Sequence, residues 1–217
     1  MDSSKVIVVD LDGTLTLTDT LHESVIALIR ANPFMLFLIP IWLAKGVAYL
    51  KFKVAENSVL DVTTLPYNEP FIDWLKEQKA SGKEIVLCTA ANELIAHNVF
   101  KHFDFFDDVI ASDEYINLKS TNKRKALEGK YGEHGYDYAG NSSADVEVWG
   151  GAAQAIVVNA NARVLAKATK VASVSETFPS ESPSLSVWLR ALRVHQWLKN
   201  LLLFVPLLAA HQFGNFQ

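Results

Sequence analysis

Asp10 and Asp12 stand at the end of an apolar run, in Val6-Ile-Val-Val-Asp10-Leu-Asp12-Gly-Thr14-Leu-Thr16. Four β-formers running into an acidic loop predict a buried parallel strand that delivers Asp10 to its C-terminal end. In open α/β sheets that is the end where ligands bind. Gly13 lets the chain turn away, and Thr14 offers a hydroxyl for a local hydrogen bond. Two carboxylates on one loop repel each other unless a cation or a phosphoryl group is their partner. The pattern suits a nucleophile, an acid/base and a Mg²⁺ site sharing one loop.

The stretch resembles the first motif of the haloacid dehalogenase-like superfamily in its Asp-x-Asp-Gly-Thr-x-Thr phosphatase form, and it matches at every defined position. Three further segments follow in the order that resemblance implies. Glu84-Ile-Val-Leu-Cys-Thr89-Ala90-Ala-Asn92 is a second apolar run ending in a hydroxyl residue, with Asn92 placed to cap a following helix. A strand-end hydroxyl with free backbone N–H groups cradles phosphate oxygens, which assigns Thr89 and the Ala90 N–H. A lysine is implied next, and Lys119, Lys123 and Lys125 compete in one basic cluster. Lys123, with Ala126 and Leu127 about a turn later, fits best, and Lys119 is its main competitor. Its charge would offset that of the nucleophile and the phosphoryl group.

The last segment is Tyr138-Ala-Gly-Asn141-Ser-Ser-Ala-Asp145. The resemblance implies two acidic residues spaced four apart here, and this chain has Asn at the first place. An amide carbonyl still serves a hard cation, but one negative charge is lost. The implied Mg²⁺ ligands are Asp10, Asp12 through its carbonyl, and Asn141 or Asp145. The implied activity is phosphomonoester hydrolysis, with Asp10 forming an aspartyl-phosphate and Asp12 acting as acid and then base. Asn141 also motivates a rival, a non-catalytic regulatory or scaffolding domain.

These residues need a scaffold. Strand-like runs near 5–10, 84–88, 108–112, 136–140 and 155–159 alternate with helical patterns such as Glu69–Ser81 and Leu94–Phe103. That alternation predicts an α/β fold, a parallel sheet with helices on both faces, and the resemblance makes it a Rossmann-like core over 1–21 and 66–178. Residues 22–65 read as a mainly helical insertion after the first strand, which the resemblance makes a cap over the site. From Ala31 to Ala44 it has no charged residue, and Lys45, Lys51 and Lys53 follow. Pro33 is placed to open a helix there and Pro40 to kink or divide it. The run is shorter than the roughly 20 residues of a membrane span. Its Phe34–Trp42 face either packs on the core or lies in a membrane interface.

Pro179–Ser184 reads as a linker. Residues 185–217 carry Arg190, Arg193 and Lys199 and no acid, hence +3, so the rest of a chain of net charge −4 carries −7. An acidic body argues against a nucleic-acid platform. Two tryptophans and basic residues precede the apolar run Leu201–Ala210, which predicts a C-terminal membrane-associated helix entered from the cytoplasmic face. Leu192-Arg-Val-His-Gln-Trp-Leu-Lys-Asn200 resembles the opening of UbiA-type prenyltransferases. That resemblance implies a prenyltransferase body as partner, and a phosphorylated small molecule or a lipid-linked (polyprenyl) sugar phosphate as substrate. The single cysteine, Cys88, precludes an internal disulfide and lies on a predicted core strand, so it reads as packing. Met-Asp-Ser-Ser-Lys shows no signal-peptide pattern.

Overall fold

The structure is a computed structural model that describes residues 5–180. Six strands, β1 (Val6–Val9), β2 (Glu84–Asn92), β3 (Asp108–Ser112), β4 (Asp137–Gly140), β5 (Gln154–Val158) and β6 (Val174–Phe178), pair in parallel in the order β3-β2-β1-β4-β5-β6. The helices, in chain order, are α1 (Thr20–Ala31), α2 (Ile39–Ala44), α3 (Val47–Asn57), α4 (Glu69–Ala80), α5 (Glu93–His102), α6 (Thr121–Tyr131), α7 (Val146–Trp149) and α8 (Ala162–Val171).

The central strands are apolar without alternation because the sheet is covered on both sides. Ile7, Val9, Ile85, Leu87, Ile156 and Val158 face a core shared with Phe71, Leu75 and Val99 of α4 and α5. Val8, Val86, Cys88 and Val157 face the opposite core, with Leu127, Trp149 and Ala168 of α6, α7 and α8. Cys88 is fully buried there, and burial pushes its thiol up to about 12. The expected Rossmann-like parallel sheet is therefore present, with one further strand. β6 went unpredicted because Ser175, Glu176 and Thr177 break the apolar run, and as an edge strand it keeps that middle exposed.

The connection order reverses at β1. The chain builds outward through β2 and β3, then returns to place β4 on the other side. This leaves a crevice at the C-terminal ends of β1 and β4. The Asp10 N–H donates to Ala139 O at 3.0 Å and ties the two strand ends together.

Helices also occupy most of the segment between β1 and β2. Asp19 caps α1 by accepting from the Leu21 and His22 N–H groups. Pro33 starts a 3₁₀ turn, Pro33–Phe37, and Pro40 stands in the first turn of α2, so the prolines divide the apolar run rather than kink it. Met35, Ile39 and Trp42 lie on one face and join Leu28, Leu50 and Val54 in a small separate core. The expected Phe34–Trp42 face is thus split, with Trp42 turned inward at 9 % exposure. The basic apolar helix expected over 185–217, and all but the start of the linker, lie outside the described residues. Among the described residues no helix is long and apolar enough to cross a membrane.

Candidate active site

The crevice opens into a cavity of about 390 Å³ lined by Asp10, Asp12, Lys51, Ala90, Lys119, Lys123, Asn141 and Asp145, among others. Of the residues singled out in sequence, Asp10, Asp12, Ala90, Lys123, Asn141 and Asp145 meet here. Thr89 does not line it; it is fully buried, and its Oγ1 accepts from the Ala91 N–H at 2.9 Å. Its own proton is left to donate.

Asp10 follows the last residue of β1. Lys123, from the first turn of α6, reaches it from across the sheet edge, with Nζ donating to Asp10 Oδ1 at 2.6 Å. Both side chains are almost wholly buried. Burial pushes the Asp10 carboxyl up to about 7, against the pull of Lys123. Burial also works against the Lys123 charge, but Asp10 and Asp145 outweigh it and hold its pKa above the ordinary lysine value. Lys119 lines the same cavity, but the contact with Asp10 belongs to Lys123.

Asp12 is held by the helix that leads into the insertion. Its Oδ1 accepts from the Thr20 N–H, at the start of α1, at 2.8 Å. Burial raises the Asp12 carboxyl pKa, and the Thr20 N–H opposes it. The turn between the two aspartates depends on Gly13, whose φ is +77°, and a Cβ there would strike the Asn141 amide. The Thr14 hydroxyl has no partner within the described residues. Thr16 makes the local bonds instead, its hydroxyl donating to Leu11 O at 3.2 Å and Thr18 O at 2.8 Å.

Asp145 is satisfied by its own loop. Its Oδ2 accepts from the Ser142 N–H and hydroxyl, each at 2.8 Å, and from the Asn141 N–H at 3.2 Å. Its Oδ1 accepts from the Tyr138 hydroxyl at 2.8 Å. Gly140 permits this fold-back, since a Cβ there would lie 2.8 Å from Asp145 Cγ. Four donors on one carboxylate leave Asn141 the freer oxygen donor of the two.

Three contributors escaped the sequence reading. Tyr138 accepts from Lys123 Nζ at 2.9 Å while donating to Asp145, so one buried hydroxyl couples the lysine to the last motif. Burial first, then Asp145 and Asp10, raise its pKa well above the ordinary tyrosine value and keep it a donor. An aromatic inside a strand reads as core, and only its hydroxyl gave a signal. Lys51 of α3 reaches back to the C-terminal part of β2, Nζ donating to Ala90 O at 2.6 Å. Burial lowers its pKa against Asp12 and Asp19. Asn159, following β5, donates to Gly13 O at 3.1 Å. Nothing in sequence distinguished Lys51 from an ordinary basic flank.

Tyr138→Phe is expected to cost about 1–3 kcal/mol, because it strips a donor from a buried carboxylate and an acceptor from a buried ammonium. The check is the urea midpoint of the full chain. An unchanged midpoint would mean that the hydroxyl is energetically idle.

A strand-end aspartate pair, a buried lysine and a loop carrying Asn141 and Asp145, on a parallel sheet, define the class. The chain belongs to the haloacid dehalogenase-like hydrolase family, whose profile matches residues 7–148. It is 36 % identical over 203 residues to the uncharacterized protein y4nM of Sinorhizobium fredii; the match covers 93 % of this chain and 39 % of that one. The chain thus spans about two fifths of that relative. Among solved structures it is similar to phosphoserine phosphatase in apo form (TM-score 0.56, 17 % identity, 82 % of this chain and 94 % of that one). It also resembles a substrate-bound phosphoserine phosphatase complex (TM-score 0.56, 14 % identity, 88 % and 99 %). A third likeness is a HAD family hydrolase, t0658, of Salmonella enterica (TM-score 0.56, 12 % identity, 82 % and 68 %). At these identities the structural likenesses show the fold.

Proposed function

We propose that this domain is a phosphatase that hydrolyses a phosphate monoester through an aspartyl-phosphate on Asp10. The observation that carries the reading is the Lys123–Asp10 contact of 2.6 Å inside a cavity that Asp12 also lines. Lys123 occupies Oδ1 of Asp10 and leaves Oδ2 to attack phosphorus. As the Asp10–phosphorus bond forms, the phosphorus–oxygen bond to the leaving group breaks, and the proton held by Asp12 passes to the departing oxygen. Burial raises the Asp12 pKa, the direction that favours the protonated form a general acid needs. Asp12, now a carboxylate, takes a proton from water as the water attacks phosphorus, which releases phosphate and restores both residues. The Ala90 N–H, at the cavity wall, would donate to a phosphoryl oxygen, and Thr89, buried behind it, would hold that turn through its bond from the Ala91 N–H.

The donor set fits a hard divalent cation. Asp10, the Asp12 carbonyl and Asn141 offer only oxygen, and two carboxylates whose pKa values burial raises favour a positive neighbour. No three His, Cys, Asp or Glu side chains cluster among the described residues, so a carbonyl and an amide must complete the set. Bound Mg²⁺ would screen the phosphoryl charge from the nucleophile. Asp145, held by four donors, serves as the anchor of this loop.

Asn141→Asp is expected to lower the Mg²⁺ concentration for half-maximal activity about tenfold, since a second charge joins the set. A titration of aryl-phosphate turnover reads it, and an unchanged midpoint would mean that Asn141 is not a ligand. The same assay tests the main reading. Absence of turnover with Mg²⁺ present would favour the regulatory or scaffolding role that Asn141 motivates.

For the substrate we favour a lipid-linked sugar phosphate over a soluble one. The acid-free, Trp-containing tail supports attachment at the cytoplasmic face of a membrane beside a UbiA-type prenyltransferase, and the greater length of the Sinorhizobium relative leaves room for such a body. Side-by-side turnover of a polyprenyl-phosphoryl sugar that carries its own phosphomonoester and of free sugar phosphates tests the choice; preference for the free ones would overturn it.

A further inference from the structure

We infer that the outward face of the 3₁₀ turn and α2 is a docking surface for an anionic lipid bilayer, separate from the catalytic cavity. Met35, Ile39 and Trp42 already satisfy the inward side. The other side is equally apolar: Phe34, Leu36, Phe37, Leu38, Ile41 and Leu43 are all exposed, with Phe34 at 76 % and Phe37 at 73 %. A helical segment that is apolar all round is normally covered all round, and contiguous exposed apolar patches mark interaction sites.

Charge identifies the occupant. From Ser24 to Ala55 there is no Asp or Glu, while Arg30, Lys45, Lys51 and Lys53 contribute four positive charges to a chain of net −4. Lys51 turns inward to Ala90 and Lys53 pairs with Glu56, but Arg30 and Lys45 are exposed at the two ends of the apolar segment. An apolar strip with cations at its borders matches the acyl–headgroup boundary of an anionic membrane. The 3₁₀ turn and α2 together are too short to cross a bilayer, which leaves them lying in its surface. The acid-free apolar segment Leu201–Ala210 with its basic approach gives the same chain a second sequence of membrane character, and two weak anchors bind much better than one.

The test uses the full chain. Cys88 is its one cysteine, fully buried, with a thiol pushed up to about 12, so it stays silent to maleimides. Phe37→Cys then takes a single environment-sensitive dye, and Lys76→Cys on α4 is the control. With phosphatidylcholine–phosphatidylserine vesicles, the dye at position 37 is expected to brighten and shift to the blue, and the dye at 76 to stay as in water. A position-37 dye that stays water-like while the protein sediments with vesicles would show that other segments do the binding, and would overturn the inference. A blue-shifted dye without vesicles would overturn it too. If that shift depends on protein concentration, the cover is a second copy; if not, it is the chain's own tail. Independently, Phe34→Ser with Phe37→Ser is expected to weaken vesicle binding about tenfold, with circular dichroism melting as the folding control. Unchanged affinity in a folded double variant would also refute the surface.

Discussion

Asp10→Asn is expected to reduce phosphomonoester turnover by about 10³-fold or more, because an amide oxygen is too poor a nucleophile to open the covalent route. The substitution keeps the side-chain shape at the end of β1, and the backbone bond to Ala139 O is untouched. It also removes a carboxyl whose ionisation burial opposes. The fold should therefore survive, and the loss should lie in kcat. Steady-state kinetics with an aryl phosphate and Mg²⁺ measure it. Beryllium fluoride, a phosphoryl mimic, should protect the parent chain against thermal unfolding and leave the Asn variant unprotected. Equal turnover in variant and parent would sink the aspartyl-phosphate mechanism.

Lys123→Met comes next in size. The ammonium is the buried cation that touches the proposed nucleophile, so its loss is expected to lower kcat by about 10²- to 10³-fold. Stability should also fall. Breaking a buried ion pair from one side costs about 3–5 kcal/mol when the other charge is stranded. Here the cost should be less, since Asp10, with its pKa already pushed up to about 7, can relieve the strain by taking a proton. Adding Asp10→Asn to Lys123→Met should recover part of the loss, and urea midpoints of the four proteins form the cycle that reads the coupling. Lys119→Met is the control: it lines the cavity without touching Asp10, so a few-fold effect is expected. A larger loss for Lys119→Met than for Lys123→Met would reverse the assignment.

The sequence by itself determined the sheet and most of the residues that meet on it. Apolar runs without alternation, such as Val6–Val9 and Glu84–Cys88, have one stable use in a chain of this length, as strands buried on both faces. Because parallel strands present their C-terminal ends together, residues far apart in sequence but each at such an end or the helix start beyond it, Asp10, Ala90, Lys123 and Asn141, had to converge. Local chemistry was legible too, as with Asn92, whose side chain accepts from the Leu94 N–H as expected of a cap.

Tertiary structure alone decided three things. It put Lys123, which the sequence had only favoured over Lys119, in contact with Asp10, because which lysine of a basic cluster turns inward depends on how α6 packs on the sheet. It divided the last motif into an anchor, Asp145, and a freer oxygen donor, Asn141, through the Tyr138 and Ser142 hydroxyls; a tyrosine inside a strand shows no more than bulk until its hydroxyl finds Lys123 and Asp145. And it sorted the apolar insertion into an inward face at Met35, Ile39 and Trp42 and an outward one at Phe34, Phe37 and Ile41. A segment apolar on every side carries no periodic signal to say which side is which. Only the packing of α1 and α3 against one of them supplies it.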